Sequence, residues 1–168
     1  SSFGILWLAP RLSRFVEAYP NVELRFYNSV WADPVSVEKI DVDIRYGVAS
    51  LSSEPAETLF RESILALCSP GCVERYGPIR EVADFLDQPL IHLMGVEDSW
   101  ARVLSSAGVD EAPPQLIRAD NSLAAMEMAS QGTGHTLVFR SYVERYLAEG
   151  RLVRSIDREF ETEQSHYV

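Results

Sequence analysis

The sequence predicts an α/β protein, a sheet covered by helices, and three stretches carry that prediction. Residues 120–153, DNSLAAMEMASQGTGHTLVFRSYVERYLAEGRLV, punctuate their own secondary structure. A polar cap at Asn121 and Ser122 opens an amphipathic helix, Gly132 and Gly134 end it, an apolar strand covers 136–139, and a second helix closes at Gly150. A run of helix, strand, helix and strand lays helices across a sheet. DVDIRYG, residues 41–47, reads as a strand stopped by glycine, and the opening SSFGILWLAPRLSRFVEAYP reads as a helix stopped by Pro20.

Within that opening, Leu8, Leu12, Phe15, Val16 and Tyr19 recur at three- and four-residue spacing, one face of a helix. Pro10 is harmless only in a first turn, so a helix starting as early as Phe3 must bend there. Val22, Leu24 and Phe26 alternate with Glu23, Arg25 and Tyr27, the period of a half-buried strand. A second strand is expected over 42–46, a polar loop over 49–57 and a third strand over 64–68. Short helical patterns occupy 73–76 and 81–86, and a strand follows Pro89 over 90–93. Ser99 opens a helix that runs to Ala107, with Gly108 at its end. Pro113 and Pro114 precede a strand over 115–119, and the chain finishes in an extended stretch, 164–168.

Composition narrows the function. With 168 residues, 46% of them hydrophobic, the chain can bury a core as one domain or two small lobes. A formal net charge of -10 opposes attraction to a phosphate backbone, so direct contact with DNA by this segment is not expected. No apolar run reaches membrane-spanning length and no export signal opens the chain, which leads to an expectation of a cytoplasmic setting without membrane contact. Cys68 and Cys72, separated by the three residues SPG, form neither a disulfide framework nor a complete zinc set. Cys68 reads as a small core hydrophobe, and no metal and no cofactor are expected.

The motifs ADPVSVEKIDVDIRYG and EPAETLFRESILALCSP, together with DNSLAAMEMASQGTG, resemble the effector-binding domain of LysR-type bacterial transcription regulators, in the subgroup of the glycine-cleavage activator and the β-lactamase regulator. The resemblance covers nearly the whole chain. It implies a two-lobed type 2 periplasmic-binding-protein-like fold, each lobe a doubly wound sheet with helices on both faces. The expected division is lobe I over 1–61, with 161–168 returning to it, and lobe II over 62–160. Both ends read as cut, and the family's N-terminal DNA-binding domain and linker helix are absent from this stretch.

Ser1, Ser2 and Phe3 stand where a helix start offers backbone N–H groups to a small anion or polar ligand; the plain alternative is a cap with no ligand. The resemblance implies that this position lines the effector cleft. Asn121 and Ser122 repeat the device for the opposite wall, again with a bare cap as the alternative. Arg45 could clamp an anion through its planar fork or pair with Asp41 or Asp43. The resemblance also brings the loop of residues 28–33, with Ser29 and Trp31, and the last strand at Tyr167 toward the cleft. His92 and Trp100 resemble the subgroup's histidine and tryptophan-bearing helix, and core packing is expected for Trp100.

Gly132-Thr133-Gly134 follows a helix and precedes a strand, the reverse of a dinucleotide-binding turn. No catalytic motif is present, and His92, His135 and His166 lie far apart in sequence, so an enzyme is not expected. What the resemblance implies is an effector-binding and oligomerisation domain that holds a small polar or anionic molecule between lobes and modulates DNA binding or transcription through the absent domain. Homodimers or tetramers are implied, formed side by side through the stripe of Trp7, Leu8, Leu12 and Phe15. The alternatives are a secreted solute-binding receptor of the same fold and an enzyme on related lobes.

Overall fold

The computed structural model describes residues 2–28, 40–47, 56–94, 99–114 and 117–168. Two sheets organise them. The larger has the strand order β5-β4-β6-β3-β7, formed by β3 (Ser63–Cys68), β4 (Leu90–Leu93), β5 (Ile117–Ala119), β6 (His135–Phe139) and β7 (Val153–Glu161). Its β5, β4 and β6 run parallel, whereas β3 is antiparallel to both β6 and β7. The smaller sheet is antiparallel among the described residues, in the order β1 (Arg45–Gly47), β8 (Ser165–Tyr167), β2 (Thr58–Phe60). Only residues 61–62 separate β2 from β3, and only 162–164 separate β7 from β8. The fold is the two-lobed α/β arrangement expected from sequence.

The larger sheet is legible in its side chains. Leu65, Ala66, Leu67 and Cys68 are all buried, the continuous apolar run of a central strand with neighbours on both sides. One face packs α4 (Ser122–Ser130) through Ala125, Met126 and Ala129. The other carries α3 (Ser99–Ser105) and the 3-10 helix Val82–Asp87, with Phe85 against Trp100 and Val103 nearby. Trp100 is fully buried, and its indole N–H donates to the Ile91 carbonyl at 3.0 Å, so its role is core packing. The remaining helices are short: α2 (Pro70–Tyr76), and α5 (Glu144–Ala148) behind the 3-10 turn Arg140–Tyr142.

Helix starts follow their sequence signals. Asn121 is the cap of α4, its side-chain oxygen accepting from the Ala124 amide at 2.9 Å. Ser69 caps α2 in the same way, accepting from the Cys72 amide at 3.1 Å. The 3-10 helix at Val82 opens with a capping box between Glu81 and Asp84. Gly134 permits the closest backbone approach, since a Cβ there would meet the Pro89 carbonyl oxygen at 2.3 Å. That approach lets the His135 amide donate to Pro89 at 2.8 Å where β6 begins beside β4.

The structure resolves one alternative that the sequence left open and differs from one expectation. The opening helix does start before Pro10, and the proline is accommodated by a π-helical turn over Gly4–Leu8 that runs into α1 (Ala9–Ala18). The Ala9 amide donates to the Gly4 carbonyl five residues back, which makes room for the proline ring next to it without a sharp break. The alternating stretch 22–27 is not a strand: no described segment pairs with it, and Val22, Leu24, Phe26 and Tyr27 are exposed. Alternation specifies two faces, but a strand also needs a neighbour to accept its hydrogen bonds. The strand expected over 42–46 overlaps β1 only at Arg45 and Tyr46, and β1 runs on through Gly47.

Candidate ligand-binding site

The first helix begins against the larger lobe. Phe3 is buried in the same cluster as Leu65, Ile91, Ala125 and Met126, which holds Ser2 over the start of α4. There the Leu123 amide donates to Ser2 Oγ at 3.3 Å, while Ala124 is occupied by Asn121. Two helix starts therefore meet side by side, and two of the donors exposed by the first turn of α4 are satisfied by the neighbouring polar side chains. The Ser122 hydroxyl makes no hydrogen bond among the described residues and is half-buried.

Phe3 turns toward the smaller sheet. Its ring stacks on His166 with centroids 4.1 Å apart, and Trp7 continues the stack from Phe3 to Phe60. Phe3 is thus an aromatic link between the first helix and β8 rather than a side chain open to a guest. Tyr167 lies in register with Arg45 and with Thr58, and its ring covers Gly47. Arg45 Nε donates to Asp43 at 2.7 Å, the pairing that competes with an anion clamp. Ser1, Ser29 and Trp31 lie outside the described residues. The structure brings Ser2, Phe3, Asn121 and Ser122 together and ties them to β8 through His166, beside Tyr167.

Beside this meeting point lies a polar junction that sequence reasoning missed. Glu62, on the link from β2 to β3, accepts from the Ser141 hydroxyl. His166 Nε2 shares a 2.9 Å hydrogen bond with the Tyr142 hydroxyl. His166 Nδ1 is buried without a hydrogen bond, 3.7 Å from Glu62 Oε1, too long to be one. Burial pushes His166 down to about 4 and raises Glu62 despite its bonds to Ser141, so the pair is held toward its uncharged forms. The residues come from the link between β2 and β3, the 3-10 turn after β6 and β8, at sequence separations of 79 for Glu62 and Ser141 and 24 for Tyr142 and His166, and no local pattern foretells that meeting.

A second cluster joins the two cysteines to a histidine that the sequence spacing did not connect with them. Cys68 at the end of β3, Cys72 in α2 and His135 at the start of β6 place their ligand atoms within 4.8 Å of one another, all buried. Burial pushes the Cys72 thiol up to about 11 and raises Cys68 as well. His135 lies 63 residues from Cys72, which is why the short cysteine spacing alone carried no signal. His92 is held apart from both clusters by the Pro114 carbonyl, 2.9 Å from its Nε2. Among the described residues, no helix is long and apolar enough to cross a membrane.

Comparison with known proteins adds relatives to this geometry. The family described as LysR substrate binding domain matches residues 1–168. The HTH-type transcriptional activator AmpR of Citrobacter koseri is 31% identical over 160 residues, covering 95% of this chain and 55% of that protein. The glycine cleavage system transcriptional activator of Escherichia coli K12 is 28% identical over 153 residues, 90% of this chain and 50% of the relative. The chain thus spans about half the length of these curated relatives, which are transcriptional regulators by name. Among solved structures, the effector domain of AmpR from Pseudomonas aeruginosa superposes with a TM-score of 0.85 at 28% identity, covering 99% of this chain and 79% of that one. The AmpR effector-binding domain from Citrobacter freundii gives 0.83 at 28% identity, covering 99% and 82%.

Proposed function

Because the chain belongs to the LysR substrate-binding domain family, we propose that it senses a small polar or anionic effector between its two lobes and relays occupancy to DNA-binding domains through its assembly. The observation that carries this reading is the contact of Ser2 Oγ with the Leu123 amide, because it joins the two helix starts whose donors suit a carboxylate or amide. A guest that replaces Ser2 at that amide would gain the adjacent Ser122 hydroxyl. Arg45, Tyr167 and the segment with Ser29 and Trp31 are proposed as the outer lining, with Ser1 at the same helix start.

The proposed lobe division at 61/62 falls on the link from β2 to β3, and that at 160/161 falls at the end of β7 just before the link to β8; these two short links are proposed as the hinges. A ligand moves such an equilibrium only by its difference in affinity for the two arrangements. Glu62 lies on one of these links and His166 in β8 just after the other, so a change in lobe angle alters their packing directly. Oligomerisation is assigned to the exposed end of the first helix. Trp7 and Leu8 pack partly on the core, whereas Phe15, Val16 and Tyr19 remain exposed.

A thermal-shift screen of amino acids, organic acids and cell-wall fragments tests the reading, since a ligand bound only by the folded state raises the transition. A polar or anionic compound should raise it, and replacing Ser2 and Ser122 together by alanine should weaken that compound about tenfold, on the order of 1.4 kcal/mol. Shifts by apolar compounds alone, or affinity unchanged by the double replacement, would remove the site from this position.

A further inference from the structure

We infer that Cys68, Cys72 and His135 form a site for a soft monovalent metal ion of the Cu(I) type, separate from the proposed effector site. Each residue is buried, and their ligand atoms lie within 4.8 Å of one another. Cys72 Sγ and His135 Nε2 are 3.7 Å apart. With thiolate and imidazole bonds of ~2.3 and ~2.0 Å, two ligands at 120° around one ion stand about 3.7 Å apart. The protein has set that pair at the spacing of a trigonal centre before any ion enters.

The histidine is oriented for the task. His135 Nδ1 shares a 2.8 Å hydrogen bond with Ser155 Oγ, and Ser155 in turn is hydrogen-bonded to the Cys68 thiol. A proton on Nδ1 donated to Ser155 leaves the Nε2 lone pair facing the sulfurs, the outer-partner device by which ligating histidines are fixed. Main-chain geometry holds all three ligands: Cys68 at the end of β3, between β6 and β7, Cys72 in a helix capped by Ser69, and His135 anchored through its amide to Pro89.

Ligand chemistry selects the ion. Two thiols and one imidazole favour soft cations over Mg(II), Ca(II) or Mn(II), which prefer oxygen. Zn(II) in structural sites takes four ligands, whereas this buried cluster offers three among the described residues, a number that suits Cu(I). Binding forms two Cu–S bonds and one Cu–N bond and releases one proton from each thiol, with no change in oxidation state.

The test equilibrates the chain anaerobically with Cu(I) held by a chromophoric chelator, both as folded protein and after a cycle of unfolding and refolding, with Zn(II) in a parallel arm. One Cu(I) per chain, with X-ray absorption reporting two sulfurs and one nitrogen, is the expected result. The double variant C68A/C72A should lose that uptake. His135→Gln provides a second variant that keeps both sulfurs and should lose the nitrogen signal. Circular dichroism and a thermal melt of each variant separate lost binding from lost folding. No stoichiometric Cu(I) in either preparation, equal uptake by a folded C68A/C72A protein, or Zn(II) bound in preference to Cu(I) overturns the inference.

Discussion

His166 Nδ1 stands 3.7 Å from Glu62 Oε1, with both side chains almost wholly removed from solvent. A full ion pair at that place would have to offset the removal of two charges from water, without a hydrogen bond between them. Burial holds His166 down near 4, below its ordinary value of 6.5. The unfolded chain therefore takes up a proton between pH 6.5 and 4 that the folded chain does not, and stability falls as the pH drops through that window. His135, also pushed down to about 4 by burial, adds in the same direction. Glu62, raised by burial, opposes them, because its folded form keeps a proton that the unfolded form loses as pH rises. The denaturant midpoint should rise from pH 4 to 6.5, and His166→Gln should reduce proton uptake on unfolding by up to about one proton. A pH dependence identical to that of the parent chain would show that His166 titrates alike in both states.

The start of α4 yields a second prediction. Asn121→Ala removes the acceptor of the Ala124 amide and should lower stability by about 1 kcal/mol, measured by urea unfolding. Ser2→Ala should lower it by about 0.5–1 kcal/mol, since the contact with Leu123 is 3.3 Å long and only partly buried. A loss for Ser2→Ala larger than that for Asn121→Ala would give the contact between the helix starts a structural weight that this geometry does not support.

Gly134 is the most sterically constrained glycine of the described chain. A methyl group there would stand 2.3 Å from the Pro89 carbonyl oxygen, at the point where β6 joins β4. Backbone rather than a flexible side chain would have to move, and the hydrogen bond from His135 to Pro89 would move with it. Gly134→Ala should destabilise by about 1–3 kcal/mol by denaturant unfolding. Gly150→Ala, with nothing within 4 Å of the added methyl, is a control in which only the backbone preference changes.

These cases show which features a sequence carries. Asn121 caps its helix within three residues, and Leu65 to Cys68 form an unbroken apolar run, so α4 and β3 can be read locally. Ser2 and the start of α4 were each recognisable as helix starts, but their meeting spans 121 residues of chain and depends on Phe3 entering the core of the larger lobe. Glu62 with His166 and Cys72 with His135 are likewise products of topology. Isolated histidines in sequence report nothing about which sheet will carry them side by side. The alternation over 22–27 fails for the converse reason, because local periodicity is intact and the partner strand is what the described chain lacks.

Phe15 on α1 and Tyr19 at its C-cap lie with ring centroids 5.1 Å apart, and Val16 beside them is half exposed. Trp7, further back along the same helix, is instead stacked between Phe3 and Phe60. The apolar stripe thus divides into an inner part that holds the first helix to the core and an outer part turned to solvent. If the outer part is where copies meet, Val16→Lys should shift the chain toward monomer in sedimentation equilibrium while leaving its melting temperature at low concentration within a few degrees, since a surface change alters stability by about 0.5 kcal/mol or less. Trp7→Ala should instead lower stability by about 3 kcal/mol, whatever the oligomeric state, because it empties part of the stack. An unchanged association for Val16→Lys would move the interface off this face of α1.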